Sequence, residues 1–228
     1  MEPKDFTIQT TASGEKRLSF DLETVNGHTG PLEVFPTREH CTTGQGANGR
    51  IAKQRVYHDS NGNGWFERGT DIVSTISTAG CMTFHQFHRH WHFDAFVSFS
   101  LYPLDGIGNR GALIASAPKN SFCVADVHRR QDLFAPDLPG SPDQKYYTKC
   151  DRNATQGLSV AWSDEYPNGT TGQYLVVTNL PAGDYCLEAI ADPLGNLAEV
   201  SESNNAESIK IHLNPDGASV TSTTGSSC

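Results

Sequence analysis

His88-Arg89-His90-Trp91-His92-Phe93-Asp94-Ala95-Phe96-Val97-Ser98-Phe99-Ser100-Leu101-Tyr102 is the stretch on which the fold turns. Its odd positions Trp91, Phe93, Ala95, Val97, Phe99 and Leu101 are apolar without a break, while the even ones begin His88, His90, His92, Asp94. Side chains alternate across an extended strand, so this parity predicts one strand with a core face and a polar face. The polar face then carries three imidazoles, a donor set suited to copper or zinc. Same-face residues of a flat strand stand roughly 6 to 7 Å apart, so a twist or bulge is needed for all three to meet one ion. His85 lies just upstream, and four of the nine histidines fall within eight residues.

Working outward, Leu18, Phe20 and Leu22 alternate with polar residues before an Asn26-Gly27 turn, and a short strand follows around residues 32–35. The two read as an antiparallel pair. Residues 54–57 lead into Asp59-Ser60-Asn61-Gly62-Asn63-Gly64. Asp59, Asn61 and Asn63 occupy the first ligand positions of a calcium loop, but Thr70 replaces the bidentate Glu at the twelfth, and the segment is read as a turn. Downstream come a strand over 119–126, a Pro/Asp-rich surface loop over 131–149, and strands at 158–162, 173–178, 183–191 and 208–213. No long 3.6-residue period appears. The expected fold is all-β: a single β-sandwich-like domain over 5–213 with long loops, Ig-like strands toward the carboxyl end, and a disordered Ser/Thr/Gly-rich tail over 214–228.

Seventeen basic against 26 acidic residues give a net charge of −9, and no Lys/Arg cluster occurs along the chain. Nucleic acid and anionic membrane are therefore not expected as partners, whereas a cationic substrate is. No apolar run approaches the roughly 20 residues of a membrane span. Six cysteines without CxxC or CxH spacing, with sequons at Asn153-Ala154-Thr155 and Asn168-Gly169-Thr170, read as an exported protein whose signal peptide has been removed.

Several further segments, in order, are similar to the lysyl oxidase family, especially its short microbial members. They are His88-Arg89-His90-Trp91-His92 with Phe93-Asp94-Ala95-Phe96, Lys119-Asn120-Ser121-Phe122-Cys123 with Asp126, Gln156-Gly157-Leu158-Ser159, and Trp162-Ser163-Asp164-Glu165-Tyr166. Leu180-Pro181-Ala182-Gly183-Asp184-Tyr185, Asp192-Pro193, Glu199 and Asn204-Asn205 continue the series. The resemblance implies a copper-dependent enzyme that uses dioxygen to deaminate primary amines, peptidyl lysine among them, to aldehydes with release of ammonia and hydrogen peroxide. It implies copper on His88, His90 and His92, and a lysyl tyrosylquinone cofactor built from Lys119 and Tyr166. Asp164, two residues from Tyr166 on one strand face, is the candidate base. A structural calcium is implied between Asp5 with Phe6 and Ser203-Asn204-Asn205, although Ser201 and Glu202 occupy the place of a family acid. Cys123 and Cys150 match family cysteines and are expected to pair, as are Cys41 and Cys81. Cys186 is expected as a buried free thiol and Cys228 on the tail. The alternative expectation is a non-catalytic or unprocessed, zinc-loaded extracellular metal-binding β domain.

Overall fold

The structure is a computed structural model that describes residues 2–42, 48–117, 121–134, 137–214, 220–222 and 228. Among these residues the protein is all-β, built from three five-stranded antiparallel sheets. The first sheet runs β1(Glu2–Thr10), β2(Lys16–Val25), β11(Trp162–Tyr166), β9(His128–Arg129), with β12(Leu175–Val176) also on β2. The second runs β10(Gln156–Leu158), β3(Leu32–His40), β4(Gly49–His58), β5(Ile72–His85), β6(His90–Phe93). The third runs β15(Val220–Ser222), β14(Ala206–Leu213), β13(Gly183–Ala191), β7(Val97–Pro103), β8(Ala115–Ser116).

All three sheets share one core, because each contributes an alternating apolar face. Leu18, Phe20 and Leu22 of β2, Met82 of β5, Phe93 of β6, Phe99 and Leu101 of β7, and Leu187 of β13 are all buried in it. The ring of Phe20 meets Phe99 edge-on at 5.1 Å, joining the first sheet to the third. Each such side chain contributes about 1.5 to 3 kcal/mol of transfer free energy, which sets the sheets' mutual position.

The structure corrects several expectations. β2 and β3 do not pair with each other; the 26–31 connection carries the chain from the first sheet to the second. The histidine stretch is two strands rather than one. Ala95 adopts φ 55°, and the turn it makes moves the chain from the second sheet to the third. The core parity holds on both sides of that break, with Trp91, Phe93, Val97, Phe99 and Leu101 buried, but Phe96 is buried as well. Residues 158–162 form no single strand: Ala161, at φ 57°, lies where the chain passes from β10 to β11. Residues 121–126 join no named strand and meet β6 only at the isolated bridge Phe93↔Phe122. Residues 59–71 connect β4 to β5 as a turn, closed by Asp59 accepting from the backbone amides of Gly62 and Gly64, each at 2.7 Å.

Three disulfides are present, Cys41–Cys81, Cys123–Cys150 and Cys186–Cys228. The first two are the pairs expected. The third overturns the free Cys186: β15 docks on β14 at Leu213, and Cys228 lies with its Cα 5.8 Å from that of Cys186. The expected tail over 214–228 is thus tied to the third sheet at residues 220–222 and 228, and its remaining residues except 214 lie outside the described ones.

Candidate active site

The β5–β6 hairpin assembles the histidines. His85 stands directly opposite His90 in its register and Thr83 opposite His92, so His85, His90 and His92 share one face. His88 belongs to the connecting turn, closed by the Arg89 amide donating to the His85 carbonyl at 2.7 Å, with Arg89 at φ 59°. This turn supplies the departure from a flat strand that convergence requires. Ring nitrogens of His85, His88 and His92 all lie within 4.8 Å of one another. The Nε2 atoms of His90 and His92 are 2.8 Å apart. His85 stacks on His92 with centroids 4.0 Å apart. Four imidazoles therefore meet where sequence parity counted three, and His85 is the member that parity misses. The signal for it lies in pairing: a hairpin turn centred on Phe87-His88 places residue 85 across from residue 90.

Phe122 joins this cluster to the tyrosine. Phe122 exchanges both backbone hydrogen bonds with Phe93, and its ring lies 4.1 Å from that of Tyr166. The Tyr166 hydroxyl donates to Asp164 Oδ2 at 2.6 Å and also contacts the Cys123 carbonyl. Asp164 and Tyr166 share the core-side face of β11, opposite Thr24 and Leu22 of β2. Asp164 is 2% exposed. Burial pushes its carboxyl well above the usual carboxylate range, the nearby Asp126 charge adding to the shift, and burial beside Asp164 raises the Tyr166 phenol. Lys119 lies outside the described residues; Cys123, four positions on in sequence, carries the carbonyl against the Tyr166 hydroxyl.

Two buried polar residues brace the site. Gln156 accepts from the Val124 amide at 3.0 Å and donates to the Trp91 carbonyl at 2.8 Å, clamping the histidine strand to the Cys123-Val124 segment. Asp126 accepts from the amides of Tyr146, Tyr147 and Ser159 and from the Ser159 hydroxyl. Both fell inside or beside quoted motifs, but their partners are 20 or more residues away and have no local signature.

The residues expected at a calcium site divide. Asp5 has φ 52° and its carbonyl accepts from Asn168, and Phe6 packs on Phe20. Ser203 contacts Ser201, Asn204 contacts His28, and Asn205 donates to Glu199 at 2.9 Å and Glu202 at 3.2 Å. No described hydrogen bond joins Asp5 or Phe6 to the Asn pair. Carboxylate oxygens of Asp192, Glu199 and Glu202 instead gather within 4.8 Å of one another. Loss of solvation and then the charges of Glu202 and Asp192 raise the Glu199 carboxyl.

Comparison with known proteins bears on the whole arrangement. The family model for lysyl oxidase matches residues 37–223. Lysyl oxidase homolog 2 of Gallus gallus is 30% identical over 122 residues, 53% of this chain and 14% of that protein. Lysyl oxidase homolog 4 of Mus musculus is 28% identical over 137 residues, 60% of this chain and 16% of its own length. The chain thus aligns with only about a seventh of these curated relatives. With the family's pattern matched across most of its length, this chain belongs to the lysyl oxidase family.

Proposed function

We propose that the protein is a copper-dependent amine oxidase that converts primary amines, peptidyl lysine among them, to aldehydes, ammonia and hydrogen peroxide. The observation that carries this reading is the Tyr166 hydroxyl held on the buried Asp164 carboxylate, one residue removed from a four-imidazole cluster through Phe122. Neutral ring nitrogens at this spacing suit copper, with His88 and His92 as ligands and the third drawn from His90 or His85. When present, copper and the quinone formed from Lys119 and Tyr166 supply an electron sink that dioxygen restores. The chain's own part is positional and acid–base. Asp164 and the Cys123 carbonyl fix the phenol oxygen, the Phe122 ring fixes the plane of Tyr166, and Asp164, its proton affinity raised by burial, moves the substrate's α proton. The gathered carboxylate oxygens of Asp192, Glu199 and Glu202 suit the calcium that the family resemblance implies better than a set including Asp5 does. Three disulfides support an oxidising, extracellular setting.

Zinc suits the same imidazoles, so an unprocessed metal-binding domain is the competing reading. Aerobic copper loading followed by intact mass, visible absorbance and amine-dependent peroxide release separates the two. Unmodified Lys119 and Tyr166 peptides with no visible band and no peroxide overturn the enzyme reading. Tyr166→Phe is expected to abolish turnover with metal content unchanged. Metal stoichiometry of His85→Ala against His90→Ala identifies the third ligand, since only loss of a true ligand lowers it.

A further inference from the structure

Ten arginines occur in the sequence. Six of them, Arg17, Arg55, Arg68, Arg110, Arg129 and Arg130, form ion pairs with carboxylates. The other four, Arg38, Arg50, Arg89 and Arg152, line one groove across the second sheet. Two adjoining hollows of about 680 and 480 Å³ share Phe84, Gln86 and Arg152; Arg89 lines the first, and Arg38 and Arg50 the second. Arg38, Arg89 and Arg152 are exposed and make no ion pair with any described residue. Arg152 lies over the Phe84 ring at 4.3 Å, which holds its guanidinium at the groove wall. Arg50 donates to His40 at 2.9 Å. Among the described residues, Asp151 is the single carboxylate in the lining.

In a chain of net charge −9, the exposed guanidinium groups of Arg38, Arg89 and Arg152 concentrate positive charge along one strip. We propose that the groove docks a short acidic segment of a polypeptide partner. Guanidinium forks match carboxylates in two-point fashion, and the groove offers several in succession. The length of the ligand follows from electrostatics. A long polyanion meets the repulsion of the whole acidic molecule, whereas a few carboxylates seated in the groove interact chiefly with charges inside a Debye length of about 8 Å at physiological salt. That favours a short acidic stretch over nucleic acid or an extended anionic polysaccharide. The groove borders the histidine cluster, since Gln86 follows His85 and Arg89 separates His88 from His90. The inference stands on charge and geometry alone and does not depend on amine oxidation.

Fluorescence anisotropy of a labelled Glu/Asp-rich octapeptide against the full chain tests it. Saturable binding that weakens as salt rises is expected, with affinity falling roughly tenfold or more in Arg38→Gln/Arg89→Gln/Arg152→Gln, from three exposed ion pairs lost. All three side chains are exposed, so the variant's thermal unfolding is expected to match the parent's. Arg129→Gln, whose partner Asp143 lies elsewhere on the surface, is expected to leave binding unchanged. Absence of binding, or binding indifferent to the triple substitution, overturns the proposal. So does tighter, groove-dependent binding of heparin or a DNA oligonucleotide than of the peptide.

Discussion

At the residue scale, Asp164 carries the sharpest chemical expectation. A base works only when deprotonated, and the folded-state pKa of this carboxyl is raised by burial. Activity should therefore rise with pH through a value above the ordinary carboxylate range, and the acid limb of kcat/KM against pH is the measurement. Asp164→Asn is expected to lower kcat by about 10²-fold or more while copper content stays constant, which separates proton transfer from metal holding. The pairing of Asp164 with Tyr166 on one face was legible from sequence, because residues two apart on a strand share a face, as β11 bears out. His85 was harder. Its place beside His92 depends on hairpin register, which a list of alternate positions does not contain.

At the scale of elements, the segment after β10's Gln156 decides how the two halves of the site are held. A Cβ on Gly157 would run into the Leu32 carbonyl of β3 and crowd the Tyr147 ring, so only glycine lets β10 lie this close. Gln156→Leu strips the Val124 amide and the Trp91 carbonyl of their buried partner. That change is expected to cost about 2 to 4 kcal/mol in denaturant unfolding and to weaken metal binding as well. Element boundaries show where sequence reasoning stopped. Alternation revealed the buried faces of β2, β6 and β7, because period two is local. The break at Ala95 was invisible, since Asp94-Ala95-Phe96 contains neither glycine nor proline to mark a turn. Sheet membership of β2 and β3 was equally hidden, because pairing partners are chosen by the shared core rather than by neighbours in sequence.

Across the whole molecule, stability rests on the common core and on buried carboxylates that keep their charge. Burial alone would raise Glu33, but Tyr147, Arg55 and Tyr57 bond to it and hold its carboxyl below the usual carboxylate range. Glu23 is lowered likewise against its own burial, through Arg130 and Ser163. A depressed folded-state pKa gives stability that is present above the unfolded value and lost as pH falls through the folded one. Thermal unfolding followed from pH 6 downward should show stability declining below about pH 4.5, less steeply in Glu33→Gln. That variant should also start about 1 to 3 kcal/mol less stable at neutral pH. The basic groove and the Cys186–Cys228 link both belong to this scale. Arg38, Arg50, Arg89 and Arg152 are far apart in sequence, so a search for runs of charge passes over them.

The bridge between Phe93 and Phe122 has a thermodynamic consequence. Metal capture and the tyrosine's surroundings share one short lever, so any ion that shifts β6 on arrival also shifts the ring against which Tyr166 rests. Coupling of this kind is reciprocal: whatever free energy the ion spends on reorienting the phenol, a change at the phenol returns to the ion's affinity. If the proposed function holds, reversible ion binding and the setting of the Tyr166 phenol are coupled through this one backbone bridge.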